Sequence, residues 1–212
     1  MGGSQDIILI FLHQTDHKMN RSRLEAFSDG VFAIIITIMV LELKIPDDTS
    51  WQTIKSLGTT FLSYILSFTF IAIYWVNHHH LMHTLKTVNA AVMWSKMLLL
   101  FCLSLVPFVT GWIGKTDFDK SVVAIFGALL FACGLSFTLL SMFIRKTYKE
   151  ETKLTIALAK GSTKGIISTV FYGVSIPAAL FVSPAISACL FVIVSVMWII
   201  PSKVIEHALN DE

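Results

Sequence analysis

Six apolar runs, each near the length that crosses a bilayer, constrain this chain more than any other feature. They lie at about residues 26–43, 57–79, 91–112, 121–144, 165–182 and 184–200. A helix needs about 20 apolar residues to cross a hydrocarbon core ~30 Å thick. Inside that core every backbone amide must be satisfied internally, which leaves helices or closed barrels. Barrel strands alternate apolar and polar residues, whereas these runs are continuous, so helices are expected. The fifth and sixth runs are short, and Pro184 makes their connection a tight hairpin. The expected fold class is an all-α integral membrane protein with six transmembrane helices per subunit. Composition agrees, because only 14% of residues are charged, against about 25% in soluble domains. A net charge of +2 gives no reason to expect nucleic acid as a partner; the expected surroundings are a lipid bilayer.

Arginine and lysine counts set the expected orientation. The connections on the amino-terminal side hold eleven: Lys18, Arg21, Arg23, Lys86, Arg145, Lys146, Lys149, Lys153, Lys160, Lys164 and Lys203. The opposite side holds four, Lys44, Lys55, Lys115 and Lys120. The excess places both termini in the cytoplasm. Trp51 and Trp112 then fit as outer interface anchors, with Trp75, Trp94 and Trp198 as inner ones. Residues 1–18 contain an apolar patch too short to span, without the charged leader of a signal peptide. Met19 begins a more natural start, so 1–18 are expected to be a disordered or dispensable extension and 19–212 the membrane domain. The longest polar connection, about 145–164, is expected to be a charged cytoplasmic loop. It holds no glycine-rich phosphate loop.

Asp29 stands where an acid is costly, at the mouth of the first apolar run. It serves either as a helix N-cap at the membrane surface or as a member of a buried polar network. Glu25, four residues earlier, shares its helix face and repels it. Arg23 is about 240° away around the helix, so cations must come from other segments. Two sources stand near the same membrane face, Lys96 and the histidine cluster His78, His79, His80 and His83. On the same helix Ile34, Ile38 and Leu41 form a stripe about 60° wide with Thr37 at its edge. Asp29 points about 140° away from Ile34. That stripe faces either a symmetry axis or lipid.

Arg23-Leu24-Glu25-Ala26-Phe27-Ser28-Asp29, continuing through Gly30-Val31-Phe32-Ala33-Ile34, resembles the Arg-x-x-x-Phe-Ser-Asp signature of the transmembrane protein 175 family. This family comprises the lysosomal potassium channels and their prokaryotic relatives. The blocks Trp75 to Leu81 and Trp94 through Phe108 are also similar to it. The resemblance implies a potassium-permeable cation channel with modest preference for K⁺ over Na⁺. It further implies a homotetramer whose first helices line a central pore in the inner (plasma) membrane. No Thr-Val-Gly-Tyr-Gly filter is present. Carried over by position, Ile34 forms the hydrophobic constriction, Ile38 and Leu41 line the same stripe, and Thr37 contributes to selectivity. Arg23, Phe27, Ser28 and Asp29, with His79, His80 and Lys96, form a structural network rather than touch ions. Lys96 departs from the family pattern, where an asparagine is expected soon after the tryptophan of the third helix. It is expected to salt-bridge Asp29 or Glu25, or to snorkel to the interface.

No Ser-His-Asp pattern or paired carboxylates suggest an enzyme. His79 and His83 have the i, i+4 spacing of helical metal ligands, but the acid of His-Glu-x-x-His is missing. No metal or other cofactor is therefore expected, potassium being the permeant ion. Cys102, Cys133 and Cys189 lie singly in apolar runs, which suits packing. Ala124, Ala128 and Ala132, with Gly127 and Gly134, read as a close-approach surface. Pro107 and Pro177 are expected to kink their helices. The alternative functional reading is a proton- or cation-coupled secondary transporter using the buried Asp/His cluster. A third is a non-conducting membrane interaction protein.

Overall fold

The computed structural model describes residues 21–45, 50–85, 87–148 and 153–199, with residues 52–56, 153–158, 160 and 162 described by backbone alone. The amino-terminal extension 1–18 lies outside the described residues. All regular structure in the described residues is helical: α1 Arg21–Leu41, α2 Trp51–His83, α3 Ala90–Ser104, α4 Val106–Lys115, α5 Lys120–Arg145, α6 Lys153–Phe181 and α7 Pro184–Ile199. Among the described residues five segments are long and apolar enough to cross a membrane, with α3 and α4 together forming one crossing from Ala90 to Lys115. The 16-residue α7 is shorter.

The third crossing is divided at Leu105, and Pro107 lies in the first turn of α4. Proline suits a first helical turn because it has no N–H to donate. Pro177 instead lies within the continuous α6. Residues 153–164, expected as part of a loop, belong to α6, so that helix extends beyond its crossing segment Thr163–Phe181. The polar residues there continue the helix beyond the apolar stretch, and hydropathy alone does not mark that end. The sixth run is joined as expected, with α7 beginning at Pro184 and Ser183 N–H donating to Ala178 O over 2.9 Å.

The core gathers where α2, α5, α6 and α7 meet. Phe70, Phe126, Tyr172 and Phe191 form one aromatic cluster, Phe126 and Phe191 crossing edge to face with centroids 5.4 Å apart. Edge-to-face rings align a positive edge with a negative face. The close approach of α5 to α6 depends on glycine. A Cβ at Gly127 would lie 2.5 Å from Ser175 Oγ, and one at Gly134 would lie 2.8 Å from Thr169 Oγ1. Ala124 is buried but Ala128 is exposed, so the glycines carry this contact rather than the whole alanine stripe. Cys102 and Cys133 are buried and Cys189 is exposed, all three free.

Helix α1 packs on α2, α3 and α4 at the edge of the bundle. Leu24, Ser28, Phe32, Ile35 and Met39 form its buried face, at spacings of three and four. Its other side is left open by the described residues, and this geometry presents the candidate site.

Candidate functional site on the first helix

The exposed side of α1 carries the expected stripe. Ile34 is 59% exposed, Ile38 44% and Leu41 74%, while Phe32 and Ile35 between them are buried. Phe27, Gly30 and Thr37 lie on the same outer arc. Thr37 Oγ1 donates to Ala33 O of its own helix over 2.8 Å. Its proton is thereby turned back into the helix, and the oxygen lone pairs remain directed outward. Arg23 is exposed on this arc too, with no hydrogen bond or ion pair among the described residues.

The Arg21 end of α1 is held by an antiparallel ladder against the carboxyl-terminal end of α2. Residues four apart on a helix lie one above another, so two antiparallel helices can pair such residues in steps. Three steps occur here. Trp75 Nε1 donates to Asp29 Oδ1 over 3.0 Å. His79 Nδ1 lies 3.2 Å from Glu25 Oε1. Arg21 Nη2 donates to His83 Nδ1 over 2.8 Å. The histidines are joined to each other, Nε2 to Nε2, at 3.1 Å, and Trp75 stacks on the His79 ring.

The repulsion expected between Glu25 and Asp29 is relieved because each acid takes a separate partner on α2. Trp75, expected as an interface anchor, is also the donor to Asp29. His80, expected in the network, is exposed, and its described contact is a ring edge against His79 at 6.0 Å. One residue of rotation turns it off the ladder face. The buried member of the cluster is His78, whose ring packs 5.7 Å from that of Phe32. Neither His78 nitrogen has a hydrogen-bond partner among the described residues.

Lys96 reaches α1 from α3. Its side chain is fully buried, and Nζ donates to Leu24 O over 2.6 Å, with Met82 Sδ at 3.5 Å. The expected salt bridge to Asp29 or Glu25 is not formed within 4.0 Å among the described residues, nor does Lys96 snorkel. The reason is angular. Leu24 and Ser28 face α3, whereas Glu25 lies about 100° round the helix, toward α2. Ser28, also fully buried, donates to the same Leu24 carbonyl over 3.0 Å. A backbone acceptor of this kind has no signature in a sequence. The ladder had one that went unread: Arg21, Glu25 and Asp29 match Trp75, His79 and His83 in spacing and in reversed order.

Beyond the ladder, at the opposite end of the bundle, Thr59 Oγ1 donates to Asp117 Oδ1 over 2.7 Å. Glu42 packs on Gly111, and Thr60 packs on Gly114. The third crossing therefore meets the first and the second at both ends.

This fold and site define a multi-pass α-helical membrane protein whose first helix is anchored on one face and open on the other. A profile of the endosomal/lysosomal potassium channel TMEM175 family matches residues 23–107. A potassium channel of Chryseobacterium sp. (strain P1-3) is 44% identical over 193 residues, covering 91% of this chain and 100% of that protein. A potassium channel of Streptomyces collinus is 33% identical over 138 residues, covering 61% of this chain and 67% of the relative. The crystal structure of a lysosomal potassium-selective channel TMEM175 homolog from Chamaesiphon minutus superposes with a TM-score of 0.73 at 24% identity. It covers 84% of this chain and 95% of that one, a likeness of fold. The chain belongs to the TMEM175 family, whose members named here are ion channels and not enzymes.

Proposed function

We propose that the chain is one subunit of a potassium-permeable cation channel, a homotetramer in which α1 of each subunit lines a central pore. The observation that carries this reading is the open face of α1, where Ile34, Ile38 and Leu41 are exposed about 110° round the helix from its well-packed face. Four isoleucines around an axis make a dry neck that blocks hydrated ions until the helices separate. Thr37, one turn along, adds four outward oxygens. They can replace part of an ion's hydration shell and give a modest preference for K⁺ over Na⁺. Other exposed faces, such as Ile166, Ile167, Val170 and Val174 on α6, are apolar enough for lipid contact. Arg23 and Phe27, on the open arc, meet the neighbouring subunit and hold the pore helices together at that end. Asp29, Ser28, His79 and Lys96 act within the subunit, fixing the foot of α1 so that the neck moves against an anchored base. The excess of basic residues at that end supports a topology with both termini in the cytoplasm, and the channel reading sets the chain in the inner (plasma) membrane.

The test is electrical. Purified protein in planar bilayers, under asymmetric potassium and sodium, should give discrete currents reversing on the potassium side of zero selectivity. Electrical silence, with ion uptake by liposomes only under a proton gradient, would replace the channel with a coupled carrier.

A further inference from the structure

The ladder brings together three side chains whose chemistry exceeds structural hydrogen bonding. His79 and His83 lack an acid within their own motif, but α1 supplies one from outside it. One ligand atom from each of Glu25, His79 and His83 lies within 4.8 Å of the other two. The shorter contacts are 3.1 Å between the two histidines and 3.2 Å from His79 to Glu25, with 3.7 Å from His83 to Glu25. Ligand atoms around a tetrahedral zinc, with bonds of about 2.0–2.1 Å, stand about 3.3 Å apart; the two contacts of His79 use its two different nitrogens, so one atom per residue is held within 4.8 Å and a turn of the His79 ring completes the set.

We propose that Glu25, His79 and His83 form a binding site for a transition-metal dication of the Zn²⁺ class, joining α1 to α2. Two imidazoles and one carboxylate suit zinc, cobalt or nickel, whereas magnesium and calcium prefer all-oxygen shells. Three protein ligands leave the fourth position to water, and the His79, His83 and Glu25 side chains are 40%, 45% and 18% exposed, so an ion has a way in. His79 meets Glu25 with Nδ1 and His83 with Nε2, so its ring turns to present a single nitrogen to the ion.

Arg21 is the antagonist of this site. A guanidinium only donates, so with Arg21 on Nδ1 the neutral His83 carries its proton on Nε2. That proton goes to His79 Nε2, and His79 gives its own from Nδ1 to Glu25. A metal on His83 Nε2 moves the proton to Nδ1, where it meets the Arg21 donor head on. Arg21 must leave, and a neutral acceptor in its place would orient the ring for the metal, as second-shell partners do. Binding of the metal is independent of whether the protein conducts ions.

The experiment is calorimetric titration of the full-length, tag-free protein in detergent with ZnCl₂, repeated with Co²⁺ to read its visible absorption. The expected result is one Zn²⁺ per chain at the ladder, lost at least tenfold in affinity in Glu25→Gln and in His83→Gln. Arg21→Gln should tighten binding several-fold, and His80→Gln should leave it unchanged. Each variant's thermal unfolding without metal reports whether the fold is kept, and Arg21→Gln, a gain of affinity, cannot arise from misfolding. No zinc binding by the native protein, or native affinity in Glu25→Gln, would overturn the site. Weaker binding in Arg21→Gln would overturn the antagonism.

Discussion

Lys96 separates two accounts of how the foot of α1 is held, and replacing it by methionine or alanine distinguishes them. The ammonium is buried with a carbonyl and a thioether as partners, and with no carboxylate within 4.0 Å among the described residues. Methionine keeps most of the volume and removes the charge. It forfeits a charge-assisted hydrogen bond of about 1.5–3 kcal/mol and relieves a desolvation cost of several kcal/mol. The net effect should be close to zero or slightly stabilising. Alanine removes the same charge and three further methylenes at about 0.8 kcal/mol each, then adds a cavity term. It should be less stable than the methionine variant by about 2–4 kcal/mol. Unfolding by sodium dodecyl sulfate, followed by tryptophan fluorescence, measures both. If methionine proves as damaging as alanine, the charge itself is needed. Lys96 would then be compensating Glu25 and Asp29, contrary to the contacts described above.

Three further outcomes are expected. Trp75→Phe and Asp29→Asn should each destabilise the subunit modestly, and a double-mutant cycle should return a coupling of about 0.5–1.5 kcal/mol, the pair being partly exposed; additivity would remove that step from the ladder. Gly134→Ala should cost about 1–3 kcal/mol in the same unfolding assay through its clash with Thr169 Oγ1. Thr169→Ala should restore much of it, since that hydroxyl otherwise bonds only its own helix at Gly165 O. On the proposed channel reading, Thr37→Val should abolish the potassium preference measured from reversal potentials while Thr37→Ser keeps it. Equal selectivity in both would exclude the hydroxyl layer.

An all-helical build of long apolar segments was legible because a bilayer leaves a chain few options. The open stripe of α1 was legible because residues three and four apart share one side of a helix. Ile34, Ile38 and Leu41 came from that same periodicity. What escaped were features that periodicity does not encode. The helical start at Lys153 is polar, so hydropathy began that element too late. Leu24 attracts Lys96 through a backbone oxygen, which every residue has. His80 and His78 are neighbours in sequence, and only the rotation of α2 decides which is exposed and which is buried. Glu25 and the two histidines are about fifty residues apart, and only the antiparallel register of α1 and α2 makes them neighbours.

The central claim is that the open face of α1 lines the ion path, and substitutions on that helix test it most directly in planar bilayers. Ile34→Asn replaces an apolar neck residue with a polar one. Val40→Asn makes the same kind of change at an exposed position about 120° round the helix. The account predicts a much larger single-channel current or open probability for Ile34→Asn, with Val40→Asn close to the native protein. Equal behaviour of the two variants, or an effect confined to Val40→Asn, would contradict it.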